Sequence, residues 1–107
     1  MGWLDWLIRP AQTYTPDCKA RAMFACFVYG TACEVRIAVG TIPDTGRWHC
    51  QAQAKLRETW QYLSVDDKFR IREGLSDTFL PSKYWKPEKL LQFIKQSEEV
   101  DKKAKHA

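Results

Sequence analysis

The spacing of apolar residues divides the chain into a helical opening, a strand-rich middle and a helical end. Ala22, Met23, Cys26, Phe27 and Gly30 recur at intervals of three and four, which predicts a helix over 15–30 with one buried face. Thr15 is placed to cap it, Pro16 suits its first position, where no N–H partner is needed, and Gly30 is its stop. From 33 to 42 the period changes to two. Val35, Ile37 and Val39 alternate with Glu34, Arg36 and Ala38, as in a strand with one face turned inward. Pro43-Asp44-Thr45-Gly46 reads as a turn. A second strand resumes over 48–56, where polar Gln alternates with small Ala, so that one face packs closely against the helix. Arg57-Glu58 makes another tight turn, and 59–65 is a third strand.

Beyond the strands, Ser64 or Asp66 as N-cap predicts a helix through Phe69-Arg70-Ile71-Arg72 that stops at Gly74. Residues 75–87 read as a loop containing Pro81 and Pro87. Pro87 opens a last helix that runs to about residue 100, with Leu90, Leu91, Phe93 and Ile94 on its apolar side. At the other end, Trp3, Leu4, Leu7 and Ile8 give residues 2–9 a short amphipathic character before Pro10. The expected fold is α+β: an N-terminal Cys-bearing helix packed on a three-stranded antiparallel sheet, with two C-terminal helices. Residues 1–100 form a single domain, and 101–107 a frayed basic tail.

Composition narrows the classes. A chain of 107 residues supports one domain with a modest core, and five Trp with five Phe supply packing material for it. Mean hydropathy is −0.48, and no apolar run approaches the roughly 20 residues of a membrane span. The opening residues are too few for a secretory signal and carry Asp5, so a cytoplasmic protein is expected. Reduced thiols are expected for Cys18, Cys26, Cys33 and Cys50. With no C-x-x-C spacing and only two His, neither a structural zinc nor any other cofactor is expected. The net charge of +4 is concentrated in 83–107, where seven Lys stand against four acids. This stretch lacks the interleaved aromatics of a stacking surface, so it reads as a solvated tail and disfavours nucleic acid as a partner.

Candidate chemistry begins at Cys18. In the first turn of a helix a thiol meets outward-pointing N–H groups and the positive end of the dipole, which favour the thiolate nucleophile. Such a nucleophile needs a base, and the base needs an orienting group. His49, at the start of the second strand, is the histidine outside the tail. Ser64, Asp66 and Asp67, near the end of the third strand, are the candidates for its second ring nitrogen.

Asp17-Cys18-Lys19-Ala20 opening a helix, followed by Val35-Arg36-Ile37-Ala38-Val39-Gly40, Trp48-His49-Cys50 and Trp60-Gln61-Tyr62-Leu63, resembles the transglutaminase-like cysteine peptidase superfamily, which has a papain-like arrangement and includes bacterial and phage-encoded members. The resemblance covers residues 17–67 and includes 31 positions from Cys18 to His49. It implies that Cys18 is the nucleophile and His49 the general base. The family's aspartate position falls on Ser64, a departure; Asp66, two positions on, faces the same side of an extended strand. Gln12, six before Cys18, resembles the glutamine that binds the oxyanion together with the Cys18 N–H, and Tyr14 is a second donor candidate. Cys50 occupies the family's small-residue position, while Cys26 and Cys33 read as core. Trp48 either walls the site or covers the sheet edge.

Two function classes follow. One is a cysteine hydrolase or acyl transferase acting on amide bonds of a protein or peptide. The other is a catalytically inactive member of the same fold that serves as a protein-binding or assembly module, which the short chain and the altered aspartate position favour.

Overall fold

The computed structural model describes the backbone of residues 17–106 and the side chains of residues 17–97. The amphipathic segment 2–9 and Gln12, Tyr14, Thr15 and Pro16 lie outside the described residues. Helix α1 spans Cys18–Tyr29. Five strands follow: β1 (Val35–Thr41), β2 (Trp48–Leu56), β3 (Thr59–Val65), β4 (Ile71–Glu73) and β5 (Leu80–Trp85). Helix α2, Pro87–His106, ends the described chain. The strands form one antiparallel sheet in the order β4-β3-β2-β1-β5.

The expected α+β class holds, and the first three strands fall where the alternation puts them. Four details differ. The cap of α1 is Asp17 rather than Thr15: its backbone is extended, and its carboxylate accepts the Ala20 N–H at 3.0 Å. This makes Cys18 the first helical residue.

No helix forms over 66–74. The Asp66 carboxylate accepts the N–H groups of both Lys68 and Arg70 at 2.9 Å, closing a local turn in which Phe69 has φ 58°. That local bond competes with helix and wins, and the chain leaves the turn extended, with β4 paired to β3 at Val65↔Ile71. The loop expected over 75–87 contains β5, which pairs with β1 and makes the sheet five-stranded rather than three-stranded. Pro81 is tolerated there because β5 is an edge strand. Finally, α2 continues to His106 rather than ending near residue 100; no Gly or Pro interrupts 88–107.

Period two decides which side chains meet. Val35, Ile37, Val39, Cys50, Ala52, Ala54, Leu63 and Val65 share the face covered by α1 and α2. Ile37, Val39, Leu63 and Leu90 are essentially inaccessible, and burying each such side chain contributes about 1.5–3 kcal/mol. The alanines of β2 let α1 approach closely. The opposite face carries Arg36, His49, Gln51, Gln53, Trp60, Tyr62 and Tyr84. There the Arg36 guanidinium lies 4.0 Å from the Trp60 ring centre and 3.8 Å from that of Tyr84.

The β2–β3 hairpin turns on Arg57 and Glu58, both with positive φ (51° and 68°), where Asn-Gly is the relaxed choice. Glu58→Gly is therefore expected to stabilise the fold by about 1 kcal/mol, read as a higher urea midpoint.

Candidate functional site

The site lies where the sheet opens. The β2–β3 pairing runs from Leu56↔Thr59 only as far as Gln53↔Tyr62, after which β3 turns to β4. The Lys55 N–H donates to Glu34 on the β1 side, so the odd-numbered residues of β2 aim their backbone groups at β1 and the even-numbered ones at β3. Cys50 is thus left with an N–H facing the gap. The first turn of α1 fills it, and the Cys50 N–H favours the thiolate of Cys18. Beside these groups is a cleft of about 350 Å³, bordered by Cys18 and Arg21 of α1, His49 and Cys50 of β2, Ser64 of β3 and Asp77 from the β4–β5 loop. Arg21 fixes the mouth of the cleft by donating to the Val65 carbonyl at 2.9 Å and pairing with Asp67.

Cys18 is half-buried and its thiol is lowered to about 6. The largest cause is a hydrogen bond from the Cys50 thiol; the Cys50 N–H and the charge of His49 act in the same direction, against burial and Asp17. Cys50 is pushed the other way, by donating to Cys18 and by its burial. Burial alone pushes Cys26 up to about 12, as for an inert core thiol.

His49 shares the cleft with Cys18 and acts on it through charge. Its Nε2 lies 2.9 Å from Asp77 Oδ2. Phe79 meets the imidazole edge-on, with ring centres 4.9 Å apart. With Asp77 ionised, Nε2 carries a proton and donates it to the carboxylate. The loop bearing Asp77 and Phe79 is itself held by Gln51, 4 % exposed, whose Oε1 accepts the Asp77 N–H at 2.7 Å and whose Nε2 donates to the Leu75 carbonyl at 2.9 Å.

The carboxylate that engages His49 therefore comes from the β4–β5 loop and not from β3. Ser64 borders the cleft, but no hydrogen bond joins it to His49 among the described residues. Asp66 is committed to the 66–70 turn, where Oδ2 takes Arg70 Nε at 2.8 Å and the backbone bond from Arg70 chiefly holds its carboxyl below the usual range. Asp67 pairs with Arg21.

Trp48 borders the cleft and stacks on Phe93 of α2, ring centres 5.2 Å apart.

Asp77 and the sulfur of Cys50 are what residue order did not reveal. The available signal was Gln51: an amide on a central strand, two positions after His49, must find partners when buried.

Among the described residues no three His, Cys, Asp or Glu side chains gather into a group that could hold a metal, and no helix is long and apolar enough to cross a membrane. Comparison of the chain with models of known protein families, with curated proteins and with solved structures finds no match.

Proposed function

We propose that the chain is a cysteine hydrolase or acyl transferase of transglutaminase-like type, acting on an amide bond of a protein or peptide with Cys18 as nucleophile and His49 as base. The observation that carries this reading is a sulfur in the first turn of α1, held toward the thiolate and sharing one cleft with an imidazole whose Nε2 is engaged by a carboxylate. In the reaction the thiolate attacks the carbonyl carbon, and the Cys18 N–H at the helix start is aimed where the oxyanion forms. His49 delivers a proton to the leaving amine, and water or a second amine releases the acyl group. Asp77 takes the orienting role in place of a residue at position 64.

The test is the pH dependence of Cys18 alkylation by iodoacetamide, followed by peptide mapping. The expected midpoint is about 6, against roughly 8.5 for an ordinary thiol. The sign follows from the lowered value: reactivity is retained at neutral pH and lost as the thiolate protonates below the midpoint. His49→Ala is expected to move the midpoint upward, because its positive charge is removed. With p-nitrophenyl acetate the protein is expected to show a burst from acylation of Cys18. An ordinary midpoint and no burst would leave the second reading, the inactive binding or assembly module. The observations favouring that one are Ser64 in the aspartate position and the cluster that half-buried Arg36 and Trp60 form with exposed Tyr84.

A further inference from the structure

We infer that Cys18 and Cys50 form a peroxide-responsive dithiol, in which oxidation of Cys18 is captured by Cys50 as a reversible disulfide that closes the site. The inference rests on Cys18 being the reactive sulfur of the reading above, but on no acyl chemistry.

Three features place the two thiols together. They lie on the packed surfaces of α1 and β2 and border the same cleft. The Cys50 thiol is the largest single influence holding Cys18 toward the thiolate. The interrupted β2–β3 pairing directs the Cys50 backbone at the same sulfur, which fixes the register of the helix start against β2. The two differ in access in the way such a pair requires. Both border the cleft, but Cys18 is half-buried, so a small oxidant can reach it, whereas Cys50 is 1 % exposed. Cys26 and Cys33 do not border the cleft.

With hydrogen peroxide as oxidant the electrons balance in two steps. The Cys18 thiolate attacks one peroxide oxygen, so that an S–O bond forms, the O–O bond breaks, and the departing hydroxide takes a proton to become water. The Cys50 sulfur then attacks Cys18 sulfur. An S–S bond forms, the S–O bond breaks, and the second hydroxide leaves with the Cys50 proton as water. Two thiols have lost two electrons to one peroxide. A dithiol reductant returns both, and with them the nucleophile. The neighbour thus protects Cys18 from irreversible sulfinic and sulfonic acids.

The test treats the whole protein with hydrogen peroxide and maps its peptides. The expected product has lost two hydrogens, links the Cys18 and Cys50 peptides, resists iodoacetamide at Cys18, and regains that reactivity with dithiothreitol. In Cys50→Ala, and in Cys50→Ser as a second variant of different polarity, Cys18 is expected instead to gain two or three oxygens and to stay unreactive after reduction. Cys26→Ala is expected to leave the disulfide intact. A wild-type protein whose Cys18 gains those oxygens as fast as the Cys50 variants, or whose disulfide joins another pair, overturns the inference. Rapid alkylation of Cys18 without a disulfide would remove this inference and leave the hydrolase reading standing. A disulfide in a protein that p-nitrophenyl acetate does not acylate would support the dithiol and remove the hydrolase.

Discussion

Asp77→Ala is expected to slow acylation of Cys18 by p-nitrophenyl acetate by roughly two to three orders of magnitude, while Asp66→Ala and Ser64→Ala leave the rate within a few-fold of the parent. The argument starts at the imidazole. A carboxylate 2.9 Å from Nε2 keeps a proton on that nitrogen and stabilises the imidazolium. Without it the ring loses one of its two constraints, the other being Phe79. The Asp77 side chain is 46 % exposed, so water can replace part of its charge, and this sets the expected loss below that of a fully buried orienting carboxylate. Asp77→Asn should fall between, since its amide oxygen can still accept but carries no charge. Gln51→Ala should reproduce part of the loss from a distance, because it frees the backbone of Leu75 and Asp77 without touching His49. A rate that falls with Asp66→Ala and not with Asp77→Ala would return the orienting role to the end of β3.

The same residues show how far the sequence could be read. Strands β1 to β3 are legible because residue type alternates along β1 and β2 and each strand is bounded by a short turn, although the middle of β1 and of β2 is buried on both faces. The positions of Cys18 and His49 are legible for a related reason: a helix start and a strand start are local features. Strand β5 is not legible, since as an edge strand its Leu80 to Tyr84 stretch is exposed on both faces, and Pro81 argues against a strand anywhere but an edge. Three-residue β4 is too short to show a period. Asp66 misled in a specific way. The carboxylate that favours a helix cap serves equally well in a closed turn, and only the left-handed backbone of Phe69 separates the two. Asp77 was out of reach because its distance from His49 is fixed by the β4–β5 loop folding over the open face of the sheet, and no pattern within 75–79 encodes that.

Gly40→Ala is expected to be the most destabilising single-methyl change in the sheet, about 3 kcal/mol or more, with a fall in melting temperature of roughly 10–20 °C. A Cβ at Gly40 would lie 1.9 Å from the Leu80 carbonyl oxygen and 2.7 Å from Pro81 Cα. Both are backbone, so no side-chain rotation relieves the overlap. The only escape is to move β5 away from β1. The close approach has a cause: the β1–β5 register shifts between Val39 and Gly40, where Val39 pairs with Lys83 but Gly40 with Pro81. The extra residue, Ser82, turns its hydroxyl onto the Val39 carbonyl at 3.3 Å. A bulge of this kind bends its strand, and here the bend presses the start of β5 against Gly40. The consequence reaches the site, because Gly40 is the cross-strand partner of His49, and the segment entering β5 at Leu80 is the one that carries Asp77 and Phe79. Gly40→Ala should therefore lower the urea midpoint and the acylation rate together, and the amides of 80–85 should lose hydrogen-exchange protection before those of β2. A variant that loses stability uniformly, with the 80–85 amides protected as in the parent, would mean that β5 is held by its contacts with α2 rather than by its fit against Gly40.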